Sequence, residues 1–377
     1  MYRQEKVFLK FKNEVIHIKI EEIDKNFKAE SFEKDDMVFY NVKEKPFDLY
    51  GLCHAEIGKD FSRLPEDVAK NTSEGVWELH ACTAGGRIRF KTDSSYVAIH
   101  AKMDPIFKMS HFALTGVGGF DLYAKEGDME LRFVAEYTPP LEMTDGYESI
   151  IDLCNGGYAY QEGNMRDIVI NFPLYAGVID LHIGLDENAK VLEPDEYKPQ
   201  KPIVYYGSSI TQGGCASRPG MSYQNIITRR FDVDHINLGF SGNAKAEDAM
   251  IEYIKNLDMS VFVYDYDHNA PSVEYLKNTH EKMFKAIREA NPDLPIVMMP
   301  RPKYYLNETD KQRAEVILET YENALKAGDK NVYHISGEDL CALCGDQGTV
   351  DNAHPTDLGF FSMAQALGDA LEKWGLV

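Results

Sequence analysis

Four apolar runs in the second half of the chain alternate with polar, helix-length stretches, and this alternation narrows the fold more than any other feature. PIVYYG (202–207), HINLGF (235–240), SVFVYDY (260–266) and PIVMMP (295–300) are strand-length and apolar at most positions, as strands covered on both faces must be. Among the stretches between and after them are SVEYLKNTHEKMFKAIREANP and ETDKQRAEVILETYENALKAG. In the first of these, Tyr275, Leu276, Met283, Phe284 and Ile287 fall close to helical spacing. The pattern predicts a three-layer α/β/α domain with a central parallel sheet. Ligands of such sheets sit at the carboxyl ends of the strands.

The first half has a different period. GRIRFKTDSSYVAIHAKM contains two alternating runs, 87–91 and 96–101, split by the turn residues 92–95. GGFDLYAKEGDMELRFVAEYTP reads as a hairpin turning near Glu126, Gly127 and Asp128, and RDIVINFPLYAGVIDLHIGL adds strands around a proline break. Short strands punctuated in this way predict an all-β sandwich of jelly-roll type. The polar, proline-rich LDENAKVLEPDEYKPQKP (185–202) marks the boundary. It separates an N-terminal β-sandwich domain, 1–198, from an α/β domain, 199–377.

Charge and cysteine usage exclude several classes. A formal net charge of −21 over 377 residues repels phosphate backbones and anionic lipid, so no nucleic-acid or membrane partner is expected. The N-terminal MYRQEKVFLKFKNEVIHIKI alternates at Val15–Ile20 and lacks a long apolar core or a small-residue cleavage site, which predicts a cytoplasmic protein. Six scattered cysteines fit a reducing compartment. Cys341 and Cys344 have metal-ligand spacing with His334 and His354 nearby, but a second paired-ligand motif is missing, so no metal or cofactor is expected.

The chemistry lies at the predicted strand ends. PIVYYG runs into Ser208-Ser209-Ile210-Thr211-Gln212-Gly213, a tight turn that can present a serine hydroxyl to a cleft as a nucleophile. Either serine also suits a helix N-cap. Two further strands end in Ser241-Gly242-Asn243 and Asp267-His268-Asn269, while Asp351 precedes His354 by three residues before a helix expected near Thr356. A serine needs a base, and a histidine base works best when a carboxylate holds its tautomer. Asp351 can orient His354 while the other ring nitrogen faces Ser209. Acyl transfer also needs oxyanion donors. The N–H groups of Ser209 and Gly242 and the side-chain amide of Asn269 are the candidates. Each piece alone also reads as an ordinary turn or capped helix; their joint order at strand ends is what points to a site.

The blocks GSSITQG, NLGFSGNA, DYDHNAP and VDNAHPTDLG resemble those of the SGNH, or GDSL-type, hydrolase superfamily across nearly all of 202–377. That resemblance implies Ser209 as nucleophile, Gly242 and Asn269 as oxyanion residues, and Asp351 and His354 as orienter and base. The chain departs from the family in having Ser208 where many members have Asp, and Asp267-His268 where glycines are usual. GFDLY (119–123) and TAGGRIRFKTDS (83–94) are similar to the N-terminal jelly-roll domain of certain bacterial carbohydrate esterases. The two-domain layout resembles carbohydrate esterase families 2 and 17, which implies removal of O-acetyl groups from manno- or xylo-oligosaccharides.

The expected partner is therefore an acetylated oligosaccharide, with His268 and Arg218 as candidate substrate contacts; Arg218 equally suits a structural ion pair, and a homodimer is left open. An acyltransferase of the same fold would use the same residues, and an inactive sugar-binding protein is the alternative of another class. A lipase fits less well, because no apolar lid lies near the site blocks. Trp77 is read as a core residue rather than a sugar platform, and a loop of the sandwich, its own or that of a second subunit, is expected to wall the cleft above Ser209.

Overall fold

A computed structural model describes residues 8–11, 14–17, 36–53, 59–154, 160–198 and 201–377. Met1–Asp35 and Asp36–Val377 are separate compact units. In the first, Phe8–Phe11 pairs antiparallel with Glu14–His17. Of the alternating run at 15–20, residues 18–20 lie outside the described residues.

In the second unit, two antiparallel sheets pack over a shared apolar core. One sheet orders Val191–Leu192, Arg87–Thr92, Arg166–Asn171, Phe120–Glu126 and Arg132–Tyr137, with Asp48–Tyr50 also paired to Arg87–Thr92. The other orders Met37–Asn41, Val178–Asp186, Tyr96–Met103 and Gly146–Asp152. Ile88 and Phe90 from the first sheet meet Val97, Ile99, Leu181 and Ile183 from the second. Alternate residues of each strand thus face one core, which is why the sequence alternates.

The first half is not purely β, contrary to its reading from sequence. Short helices occupy Glu66–Thr72, Glu74–Leu79 and Leu114–Gly118. Glu66 and Asp67 occupy the first turn of one, and Ser73 caps the next by accepting from Val76 N at 3.2 Å. Leu64, Ala69 and Val76 belong to the core of the α/β region, so the first two of these helices serve the second layer system rather than the sandwich. Trp77 packs against that same core, stacked on His80 at 4.3 Å.

The α/β region holds five parallel strands: β1 (Ile203–Gly207), β2 (His235–Gly239), β3 (Val261–Asp265), β4 (Ile296–Met298) and β5 (Val332–His334), in the order β2-β1-β3-β4-β5. Ile203 and Tyr205 face one helical layer, with Tyr223, Ile227, Phe360 and Leu367; Val204 and Tyr206 face the other, with Met250, Leu276, Met283 and Ile317. Burial on both faces explains why PIVYYG does not alternate. The chain leaves β1 toward one neighbour and later returns to the other side, so the crevice between β1 and β3 is the topological switch point. Among the described residues no helix is long and apolar enough to cross a membrane.

Candidate active site

Ser209 opens the four-residue helix α1 (Ser209–Gln212), directly after β1. Ser208 is its N-cap: the hydroxyl accepts from Ile210 N at 3.2 Å, and the helix ends at Gly213 in the left-handed region, φ 102°. Gly207 lets this turn sit tightly on the sheet, since a Cβ there would stand 1.6 Å from Asp265 Oδ1. The turn is then fixed from three sides. Asn237 Nδ2 on β2 donates to Thr211 O at 2.7 Å, Gln212 Nε2 donates to Leu174 O at 3.2 Å, and the Tyr175 hydroxyl donates to Ser209 O at 3.2 Å.

The structure brings Ser209, His354 and Asp351 together. His354 Nε2 lies 2.8 Å from Ser209 Oγ, and His354 Nδ1 lies 2.7 Å from Asp351 Oδ2. Asp351 also accepts from the backbone N–H groups of His354 at 2.7 Å and Ala353 at 3.1 Å. Burial pulls the Asp351 carboxyl up, but these hydrogen bonds outweigh it and hold the group at about 2. An ionised Asp351 puts the ring proton on Nδ1, so Nε2 is the acceptor and Ser209 Oγ donates to it. Both residues precede the helix Asp357–Trp374, whose N-cap is Thr356.

Gly242 and Asn269 follow β2 and β3 at the same edge. Gly242 has φ 70°, a conformation that favours glycine, with nothing within 4 Å of where a Cβ would stand. Gln212 Oε1 accepts from Ser241 N at 2.9 Å, and Asn269 Nδ2 donates to Phe240 O at 2.8 Å. The Phe240–Gly242 loop is therefore tied both to the Ser209–Gln212 helix and to Asn269. His268 Nδ1 is 2.7 Å from Arg301 Nη1 and must accept from it, which leaves its hydrogen on Nε2. Burial, then the positive charge of Arg301 and the nearby His354, lowers His268 to about 4, so the ring is neutral at physiological pH.

Arg218 makes a structural ion pair, one of its two readings from sequence. Its Nη1 donates to Asp121 Oδ2 at 2.9 Å and to the Tyr123 hydroxyl, and its guanidinium lies 3.7 Å from the centre of the Phe133 ring. Asp121, fully buried, also accepts from Gly220 N and Asn171 Nδ2, each at 2.7 Å. A carboxylate with no access to water needs those donors, so the Asp and Tyr of GFDLY clamp the segment downstream of Ser209, and Arg218 is part of that clamp. Cys341 Sγ donates to Gly337 O at 3.1 Å, while His354 is engaged with Ser209 and Asp351.

Three features were not visible in the sequence. His111 and Phe112, just before Leu114–Gly118, reach across to the triad: His111 Nε2 lies 3.9 Å from Asp351 Oδ2, and the Phe112 ring lies 6.1 Å from that of His354 and 4.9 Å from that of Tyr175. An irregular segment carries no periodic signal, so only tertiary packing reveals this wall. Asp265, at the end of β3, is the third. It is buried behind the Ser208–Gly213 turn, where it accepts from the Thr211 hydroxyl while its Oδ2 has no partner. Burial pushes its carboxyl up to about 8 against the pull of Thr211 and of Ser208 N–H.

A proton is thus held by the folded chain where an unfolded aspartate, at 3.8, has lost it. The linked stability is fully present below the unfolded value and lost as pH rises through about 8. Asp265→Asn, which mimics the neutral acid, is expected to flatten the fall in Tm between about pH 4 and 8. Parallel Tm profiles for the variant and the natural protein would show that Asp265 stays ionised.

Residues 200–372 match the family model of the GDSL-like lipase/acylhydrolase family, and residues 37–191 match that of the N-terminus of SGNH-hydrolase-type esterases. Residues 200–372 belong to the GDSL-like lipase/acylhydrolase family. No functionally curated protein matches the sequence. Among solved structures, a protein from Bacteroides ovatus described as a GDSL-like lipase is 28% identical, with TM-score 0.79 over 89% of this chain and 97% of its own. The salicylyl-acyltransferase SsfX3 of a tetracycline biosynthetic pathway shares the fold at 17% identity and TM-score 0.72, over 92% of this chain and 99% of its own. An acetyl xylan esterase from the rumen bacterium Butyrivibrio proteoclasticus does so at 11% identity and TM-score 0.56, over 90% and 99%. The SGNH blocks and the GxDLY motif thus stand in the layers expected of that architecture.

Proposed function

We propose that this SGNH hydrolase is a serine esterase that removes O-acetyl groups from short manno- or xylo-oligosaccharides through an acyl-enzyme on Ser209. The observation that carries the reading is the hydrogen-bond chain from Ser209 Oγ through His354 to Asp351, at 2.8 and 2.7 Å. Ser209 Oγ attacks the acetyl carbonyl as His354 Nε2 takes its proton, and Asp351 steadies the imidazolium. The oxyanion is met by the N–H groups of Ser209 and Gly242 and by the Asn269 amide. His354 then returns the proton to the departing sugar oxygen. Water, deprotonated by His354, attacks the acyl-enzyme and releases acetate.

The sugar reading draws on the carbohydrate esterases that share the fold and on the His111–Phe112 wall beside the triad, with His268 as a neutral donor. In the cytoplasm, where we place the protein, only imported oligosaccharides are within reach, which favours short substrates. The acyltransferase SsfX3 argues for a second reading, in which an alcohol rather than water receives the acyl group; added acceptor alcohols would then divert the product from acetate to a new ester.

Acetate release from a panel of acetylated oligosaccharides tests the proposal, with a small chromogenic acetyl ester in parallel. Phe112→Ala is expected to lower kcat/KM for the oligosaccharides about tenfold, equivalent to about 1.4 kcal/mol of remote binding, and to affect the small ester far less. Equal losses on both would remove the wall from substrate recognition. No acetate from any acetylated sugar, with the small ester still cleaved, would remove the sugar assignment.

A further inference from the structure

Beside the triad lies a second convergence of reactive side chains, drawn from three distant segments. His111 comes from the sandwich, Cys215 follows the nucleophile helix with φ 72°, and His354 comes from the C-terminal loop. One donor atom from each of the three lies within 4.8 Å of the others, and among the described residues no other trio of His, Cys or carboxylate groups converges this way. With Zn–N about 2.0 Å and Zn–S about 2.3 Å, donors around a tetrahedral zinc stand roughly 3.3–3.6 Å apart, so closure takes side-chain movements of about 1 Å.

We propose that His111, Cys215 and His354 form a transition-metal site that takes a borderline-soft divalent cation, Zn2+ above all, and that its occupation switches the enzyme off. Two imidazoles and a thiolate suit zinc and disfavour Mg2+ and Ca2+, which prefer oxygen. Three protein ligands leave a fourth position for water. The Asp351 carboxylate, 3.9 Å from His111, and the formal charge of −21 raise the local concentration of cations. On binding, Cys215 releases its thiol proton to solvent.

Inhibition follows from the ligands themselves. Both ring nitrogens of His354 are engaged, one by Asp351 and the other by Ser209. Whichever nitrogen the ion takes, a hydrogen bond of the triad is lost. This consequence rests on the serine-esterase reading, whereas the site does not.

The test combines zinc titration of acetyl-ester hydrolysis with the absorption spectrum of the cobalt-loaded full chain. Zinc is expected to abolish turnover and a chelator to restore it. Cys215→Ser and His111→Ala should each raise the half-inhibiting zinc concentration by more than the roughly 10–100-fold that an outer-shell change costs. A cobalt–thiolate band should appear in the natural protein and in Ser209→Ala, and vanish in Cys215→Ser. The Ser209→Ala spectrum reads the site without any esterase activity, so the two proposals fail separately. Absence of the band from the natural protein, its persistence in Cys215→Ser, or zinc inhibition unchanged in both ligand variants would overturn the site.

Discussion

Ser209→Ala is expected to lower kcat for a chromogenic acetyl ester by on the order of 10⁶, as loss of a serine nucleophile does elsewhere, while the protein stays folded. Ser208→Ala is expected to keep most activity and to cost about 0.5–2 kcal/mol of stability instead. The two hydroxyls are adjacent in sequence and both buried, but they are committed differently. Ser208 Oγ accepts from Ile210 N and so caps the helix, whereas Ser209 Oγ faces His354 Nε2. Paired measurements of kcat and Tm on the two variants separate the roles. An exchange of phenotypes would make Ser208 the nucleophile and shift every assigned block by one residue.

That distinction was only half legible in the sequence. The strand feeding GSSITQG, the order of the strand ends and the helix after Thr356 all follow from local rules: burial on both faces, small residues at tight turns, and a polar residue before an apolar helix. The N-cap and the proposed nucleophile look alike at that level, because only the distant partner, His354, sets Ser209 apart from Ser208. The same limit left the two readings of Arg218 undecided. Its ion pair with Asp121 joins residues 97 positions apart, and nothing near Arg218 in sequence announces a buried carboxylate. β5, with only three residues, is too short to display a period. The helices at Glu66–Thr72 and Glu74–Leu79 sit among strands and declare themselves only by packing on the α/β core. The site was therefore readable where its chemistry sits on a repeated strand-end plan, and hidden where the sandwich closes over it.

Asn269→Ala is expected to cost about 2.7–4 kcal/mol of transition-state stabilisation, seen as a 10²–10³-fold fall in kcat with little change in KM. One amide hydrogen of Asn269 is committed to Phe240 O at 2.8 Å; the amide carries a second hydrogen, and that one is the proposed oxyanion donor. A carbonyl in the ground state carries little charge, so this donor matters most when the tetrahedral oxyanion forms, and its loss falls on kcat. The hydrogen bond to Phe240 O adds a structural role, because Phe240 leads directly into Ser241 and Gly242. Part of the loss can thus arrive through a displaced Gly242 N–H. Asn269→Asp separates the two contributions: an ionised carboxylate donates to neither Phe240 O nor an oxyanion and places negative charge where negative charge develops. It is expected to be at least as inactive as Asn269→Ala. A raised KM with kcat unchanged in Asn269→Ala would make the residue a substrate-positioning group and leave the oxyanion to the backbone donors of Ser209 and Gly242.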